Sequence, residues 1–159
     1  MSEPNREFLR HTVATLAYRG GKVVRDAPPG FDAYRASESS RTPGEILAHI
    51  GDLLDWALSM AIGAPKWSTA KPLPWDREVE RFFAALDAFE KFLASDEPMD
   101  YPGEKLFQGP IADALTHVGQ IAMLRRIHGQ PVRAENYAKA EIVAGRVGRQ
   151  QAKPRTEFD

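Results

Sequence analysis

The stretch between Thr42 and Pro65 carries a start signal, a periodic apolar face and a stop signal for one α-helix. Thr42, Pro43 and Glu45 predict an N-cap, a proline in the first turn and the glutamate of a capping box. The apolar residues recur at helical spacing, at Ile46, Ile50, Leu53, Leu54 and Ala57. Gly63 and Pro65 then predict the end of the helix. A chain with several segments of this kind has to bury their apolar faces against one another.

Three further segments show the same helical periodicity, at about 4–24, at about 76–94, and from Pro110 to Gly129. No stretch alternates as a long strand would. Connections of about a dozen residues or more separate the segments, and loops of this length often carry function. We therefore predict an all-α fold, most simply a four-helix bundle with long inter-helix loops. The single predicted domain covers residues 1–159, with a core at about 4–130 and an irregular C-terminal extension at 131–159, where the string AENYAKAEIVAG can add a short helix.

The composition of the chain restricts its function. With 159 residues, 43% of them hydrophobic and 27% charged, it has the composition of a globular domain that needs no covalent staples. Its 21 basic and 22 acidic residues give a formal net charge of −1, which offers no general field for nucleic acid or an anionic membrane. The N-terminal string has no apolar signal region, and no apolar stretch reaches the roughly 18 residues of a membrane helix. We expect a soluble, cytoplasmic protein.

The chain contains no cysteine. This excludes disulfides, thiolate catalysis by the protein itself, and metal sites with cysteine ligands. Any thiol chemistry therefore has to use sulfur from a small-molecule cosubstrate.

Three residues on two predicted helices form a candidate metal site. Asp113 and His117 lie four residues apart, about 40° around the helix, beside the apolar stripe of the last helix. His49 lies on or beside the apolar face of the second helix. Together they offer three ligands to one ion and leave positions for water or substrate. The spacing also fits an Asp–His pair on a helix surface and a hydrogen-bonded core histidine, neither of which needs a metal.

Two strings of the sequence resemble the two signature helices of the DinB/YfiT-like superfamily of small bacterial helical-bundle proteins. They are TPGEILAHIGDLLDW and GPIADALTHVGQIAMLRRIHG. In that family, one histidine of the second helix and two histidines four residues apart in the later helix bind a divalent metal. The later motif precedes a string matched here by Gly119, Gln120, Ile121, Leu124, Arg125 and Gly129. The resemblance places His49 and His117 on ligand positions and Asp113 where the family has its other histidine. The residues from Gln130 onward lie outside it.

The resemblance implies one divalent transition metal, which is iron, manganese, zinc or nickel, held by His49, Asp113 and His117. An oxygen ligand in place of an imidazole favours iron or manganese. Alternatively, the site has decayed and Asp113 only bonds to His117. No separate catalytic residue can be assigned.

Characterised relatives in that superfamily include transferases and isomerases that use a low-molecular-weight thiol. The resemblance therefore implies an enzyme with a small-molecule substrate, a thiol cosubstrate and a homodimeric state. Metal-assisted hydrolysis is the second chemistry that we consider. The alternative from another class is a non-catalytic helical bundle for binding or dimerisation, with a vestigial metal site.

Several polar and aromatic residues have a structural interpretation beside a functional one. Glu45 is either a fourth ligand or part of the capping box, and we favour the capping box. Asp52 and Gln120 either orient the metal ligands or lie on the surface. The tryptophans either line a pocket or, as we favour, anchor the core and the loops; they are Trp56, Trp67 and Trp75.

The remaining histidines and the basic tail are interpreted as structural or solvated. His11 has no evident partner, and His128 suits the negative end of a helix dipole. The C-terminal region carries four basic residues in a near-neutral chain, which favours a solvated tail over a nucleic-acid site; they are Arg146, Arg149, Lys153 and Arg155.

Overall fold

A computed structural model describes residues 4–158 of the chain, so that residues 1 and 159, the outer bounds of the predicted domain, lie outside the described range. The helices are α1 (Pro4–Val24), α2 (Pro43–Ala61), α3 (Trp75–Ala94), α4 (Gly103–Leu106) and α5 (Ala112–Ile127). Two short antiparallel strands, β1 (Ala134–Glu135) and β2 (Glu157–Phe158), pair with each other. The prediction of a mostly helical chain is confirmed. Within residues 4–158, no helix is both long and apolar enough to cross a membrane.

Helix α2 begins and ends where its sequence signals predict. The Thr42 side chain accepts a hydrogen bond from the Glu45 backbone at 3.1 Å, and the Glu45 carboxylate accepts one from the Thr42 backbone at 2.9 Å. These two bonds complete the capping box. At the other end Gly63 has φ +79°, and the Ala64 N–H donates to the Ser59 carbonyl at 2.9 Å. This left-handed cap closes the helix as glycine allows.

The helical segment that leads into α5 begins earlier than the sequence predicts. The backbone is already helical from Gly103 and passes through a π-helical turn, Phe107–Ile111, before α5 starts. Pro110 lies inside this turn, so the prediction that it starts the helix is wrong. Proline has no N–H to donate, and its ring clashes with the preceding turn of a regular α-helix. The wider π turn accommodates both defects.

The core lies where α1 and α2 each pack against both α3 and α5. Every one of these helices contributes large side chains that are no more than 1% exposed, among them Leu16, Ile50, Leu54, Phe82, Leu86, Phe89 and Ile121. Burying one side chain of this size stabilises the fold by roughly 1.5–3 kcal/mol. Because α2 and α5 are neighbours, the two sequence motifs lie side by side.

Gly20 marks a close approach of α1 to α3. A Cβ atom there would lie 2.5 Å from the ring of Phe82, which is 1% exposed, whereas a Cβ at Gly21 would lie 3.5 Å from Phe83. We expect Gly20→Ala to destabilise the protein by about 1–3 kcal/mol, because overpacking outweighs the gain in helix propensity. Its neighbour Gly21→Ala should instead stabilise by roughly 0.5–1 kcal/mol. Urea unfolding of both variants tests the pair, and equal stabilities would contradict this packing.

The C-terminal extension docks on α1 through a buried polar cluster. The Glu135 side chain, 0% exposed, accepts hydrogen bonds from the Tyr18 hydroxyl at 2.5 Å and from Lys22 at 2.7 Å. Lys22 also pairs with Glu157 at 3.1 Å. Burial, followed by the bond to Glu135, raises the pKa of Tyr18, so its hydroxyl remains a donor. Because β1 carries Glu135 into this cluster, the predicted short helix is replaced by β1 and a 3-10 turn, Tyr137–Lys139.

The basic residues of the extension have partners within the chain. Arg146 and Arg155 pair with Glu141 at 3.6 and 2.6 Å. Arg149 lies over an aromatic ring of α3, 5.5 Å from its centroid. Three of the four basic residues singled out in the sequence thus contact other side chains.

Candidate metal centre

The structure brings His49, Asp113 and His117 together at the contact of α2 with α5. One potential ligand atom of each side chain lies within 4.8 Å of the others. The Asp113 carboxylate is 3.6 Å from His49 Nε2 and 3.2 Å from His117 Nδ1, and the two imidazole centroids are 4.6 Å apart. Ligand atoms of one tetrahedral ion are about 3.4 Å apart for bonds of about 2.1 Å. The three donor groups are spread over as much as 4.8 Å, so the side chains have to move closer together to bind one ion.

His117 is held in one tautomer by its own helix. Its Nδ1 lies 2.7 Å from the backbone carbonyl oxygen of Asp113, one turn earlier. A carbonyl oxygen can only accept, so Nδ1 carries the hydrogen and Nε2 keeps its lone pair in the neutral ring. Metal-binding histidines are commonly oriented in this way by a hydrogen bond from the other nitrogen. With a side chain 11% exposed, His117 is also the most buried of the three.

The surroundings of His49 favour its neutral form. Partial burial is the largest cause that lowers its pKa from the usual 6.5, and the neighbouring His117 and Arg41 side chains act in the same direction. The Asp113 carboxylate opposes them. A neutral imidazole has a lone pair for a metal, so ion binding near pH 7 need not displace a proton from His49. Asp113, with a side chain 46% exposed, is the member of the site that is open to water.

A tryptophan from the connection between α2 and α3 forms one wall of the site. The Trp67 ring centroid lies 5.8 Å from that of His49 and 5.6 Å from that of Trp56. Trp67 itself is 45% exposed. Trp75 packs elsewhere, against Phe31 at 5.8 Å. The ring contacts thus place Trp67 beside His49, whereas Trp75 has the anchoring role.

Asp52 holds this connection in place. Its carboxylate accepts a hydrogen bond from the Ala70 N–H at 3.2 Å and pairs with Arg81 of α3 at 2.7 Å. Glu78, 1% exposed, accepts from the Leu73 N–H at 2.8 Å and also contacts Arg81. Asp52 thus anchors the loop that carries Trp67, and within residues 4–158 neither histidine of the site is among its hydrogen-bonding partners.

Glu45 and Gln120 have different positions. The capping box accounts for Glu45, which also lies 3.4 Å from Arg35. The hydrogen bond from the Thr42 backbone is the main cause that lowers the Glu45 pKa. Gln120 is exposed and lines a groove beside His117.

The other two histidines lie outside the cluster. His128 caps the end of α5, and its ring lies 4.6 Å from that of Tyr34 and 5.5 Å from that of Phe31. His11 is exposed on α1.

Each histidine of the pair lines one open groove, and Arg41 lines both grooves. The His117 groove has a volume of about 540 Å³ and is lined by His117 with Ser40, Arg41, Ile46, Gln120, Met123 and Leu124. The His49 groove has a volume of about 380 Å³, and His49, Arg41, Glu45, Asp52 and Thr69 are among its lining residues. Both imidazoles of the candidate site are therefore reached from open grooves.

Comparisons of the chain with models of known protein families, with curated proteins and with solved structures find no match. Membership of the DinB/YfiT-like superfamily stays a prediction from the two sequence motifs. The thiol cosubstrate, the homodimer and the cytoplasmic location likewise stay predictions. The arrangement of the three side chains is what bears directly on function.

Proposed function

We propose that the chain binds one divalent transition metal through His49, Asp113 and His117 and acts as a metal-dependent enzyme of the DinB/YfiT-like kind. Its scaffold in this proposal is a four-helix bundle of α1, α2, α3 and α5. The observation that carries the proposal is the convergence of three donor groups, from two helices, to within 4.8 Å. The two helices that converge are the two that bear the motif strings.

The donor set determines the chemistry that the site supports. Two imidazole nitrogens and one carboxylate oxygen suit iron and manganese, and also accept zinc or nickel. When bound, such an ion acts as a Lewis acid that lowers the pKa of a coordinated water or thiol. His117 contributes a ring of fixed tautomer, His49 a neutral ring, and Asp113 the charge that partly neutralises the ion.

The favoured reaction class is transfer or isomerisation with a low-molecular-weight thiol. The chain has no cysteine, so the sulfur has to come from a cosubstrate. Metal-assisted hydrolysis, in which water takes the place of the thiol, is the second reaction class. The open grooves on both sides of the histidine pair provide room for a substrate and a cosubstrate.

A specific observation favours one alternative, a non-catalytic bundle with a vestigial site. Asp113 lies within 3.6 Å of one imidazole and 3.2 Å of the other. A carboxylate in this position can link α2 to α5 through hydrogen bonds without any ion. In that case the three residues contribute to stability and the protein serves binding or dimerisation.

Metal content distinguishes the two functions. Protein purified without a histidine tag is analysed by inductively coupled plasma mass spectrometry, as wild type, His117→Ala and His11→Ala. We expect about one equivalent of a transition metal in wild type and its loss in His117→Ala, because two ligands do not retain the ion. His11 is exposed on α1, so His11→Ala should keep the wild-type content. Circular dichroism checks that all three proteins remain helical.

A different outcome supports the structural alternative. Wild type would then contain no metal, even after incubation with iron, manganese, zinc and nickel in turn. His117→Ala would in addition unfold at a lower urea concentration than wild type, because the carboxylate would lose a partner.

A further inference from the structure

The two grooves beside the histidine pair differ in charge. The His49 groove includes two carboxylate side chains, Glu45 and Asp52. The His117 groove is lined by no carboxylate side chain among the described residues, and Arg41 is the only permanently charged side chain among its lining residues. No lining residue of the His117 groove therefore repels a ligand anion, and the Asp113 carboxylate beside His117 is the one whose charge the metal would neutralise.

Arg41 is the charged group shared by both grooves. Within residues 4–158 its guanidinium makes no hydrogen bond and no ion pair. The two carboxylates of the neighbouring groove already have arginine partners, since Glu45 lies 3.4 Å from Arg35 and Asp52 lies 2.7 Å from Arg81. Arg41 is thus left with an exposed charge and its full set of donors, directly beside the candidate metal centre.

The remaining walls of the His117 groove are largely apolar. Ile46 of α2 and Leu124 of α5 are buried in the core and present their edges to the groove. Met123 is 58% exposed, and its unbranched side chain adapts to different ligand shapes. A ligand for this groove therefore combines an anionic group with an apolar body.

We propose that the substrate of the site is a small organic carboxylate, with its carboxylate paired to Arg41 and its apolar body in the His117 groove. This inference rests on the proposed function, because the groove leads to His117 and so to the metal. A planar guanidinium matches a carboxylate with two parallel hydrogen bonds. One guanidinium also balances the single charge of a carboxylate and only part of that of a phosphate dianion.

Binding of four probes with the same six-carbon chain tests this assignment. Hexanoate, hexanamide, hexylamine and hexyl phosphate are titrated into wild-type protein, both metal-free and loaded with diamagnetic zinc. Backbone amide chemical shifts give the affinity and the location. We expect hexanoate to bind at least about tenfold more tightly than hexanamide, as a charge-assisted pair provides. The shifted amides should include those of Gln120 and Met123, which line the groove.

Variants assign the preference to Arg41. Arg41→Met should lose the preference for hexanoate over hexanamide, and Arg41→Lys should recover part of it. Arg77→Met is the matched control, because Arg77 is 70% exposed on α3 and pairs with Glu80. The control should keep the full preference. Arg77→Met should also bind zinc as wild type does. The two Arg41 variants should keep a stoichiometry of one zinc, since neither of them changes a ligand.

The outcomes separate this inference from the metal proposal. Zinc binding without any preference for hexanoate overturns the carboxylate assignment alone, as does tighter binding of hexylamine or hexyl phosphate. An Arg41-dependent preference in metal-free protein that binds no zinc supports the assignment and contradicts the metal proposal. A preference that survives in Arg41→Met overturns the role of Arg41.

Discussion

Replacing Asp113 by histidine is expected to shift the metal preference of the site from manganese toward zinc and nickel by about tenfold or more, or about 1.4 kcal/mol. The carboxylate is the only oxygen donor of the cluster. Exchanging it for an imidazole gives a site with three nitrogen ligands. Zinc and nickel bind such a site more tightly than manganese does. The change also removes a negative charge, so the total affinity for hard cations should fall.

Competition titrations measure this shift. Wild type and Asp113→His are titrated with manganese and zinc against a chelator of known affinity, and the ratio of the two dissociation constants is compared. Asp87→His is the matched control, because Asp87 is a 53% exposed aspartate of α3 that pairs with Lys91. Its ratio should equal that of wild type.

An unchanged ratio in Asp113→His would show that Asp113 is not a ligand. Asp113→Asn would then decide its remaining role. A lower unfolding midpoint for that variant, with metal affinity unaffected, would make the carboxylate a link between α2 and α5.

The helical elements were largely predictable because their signals are local. Thr42 and Glu45 lie three residues apart and cap α2 through their own side chains. The glycines after α2 and α5, Gly63 and Gly129, both adopt positive φ and end their helices as the sequence indicates. Pro110 shows the limit of such signals, since proline is compatible both with a helix start and with a π turn.

The candidate site was predictable only in part. The motif spacing places Asp113 and His117 on one flank of a helix, and the apolar face of the second helix adds His49. The resemblance then places both histidines on ligand positions. Sequence alone could not show that Trp67 covers His49. That position depends on bonds between distant residues, since Asp52 is 18 residues from Ala70 and 29 from Arg81.

Arg41 was missed for a related reason. A single arginine before a helix start is unremarkable in sequence, and its significance comes from what surrounds it. The nearby carboxylates Glu45 and Asp52 are occupied by Arg35 and Arg81. Pairing of this kind depends on tertiary structure, which no local pattern encodes.

The second large effect is expected at Arg125, where the motif has a structural task. Arg125 is 5% exposed and donates hydrogen bonds to the backbone carbonyls of Val23 at 3.0 Å, Arg25 at 2.6 Å and Gln130 at 3.1 Å. Val23 lies in the last turn of α1 and Arg25 directly follows the helix, where backbone carbonyls lack partners and the helix dipole is negative. Asp26, the next residue, has φ +54°, a left-handed conformation that costs free energy outside glycine.

We expect Arg125→Met to destabilise the protein by roughly 3 kcal/mol, because the buried Val23 carbonyl and two partly buried carbonyls lose their donor while the side-chain volume is nearly kept. Arg126→Met is the matched control, since Arg126 is the exposed neighbour on the same helix turn. It should change stability by no more than about 0.5 kcal/mol. Urea unfolding gives the free energy of unfolding of both variants, with the same dependence on urea concentration expected for each. Equal unfolding midpoints for the two variants would contradict the role of Arg125.

Arg125→Met also distinguishes the structural role of Arg125 in the α5 motif from the metal-binding role proposed for His117. Burial lowers the pKa of Arg125, yet no carboxylate of the described chain forms a salt bridge with it. Its charge is offset by carbonyl dipoles and by the nearby Asp26 carboxylate, and neither belongs to the candidate metal centre. Folded Arg125→Met should bind metal with the stoichiometry of wild type, whereas His117→Ala should lose metal. A loss of metal from folded Arg125→Met would instead mean that the α1 junction sets the geometry of the site.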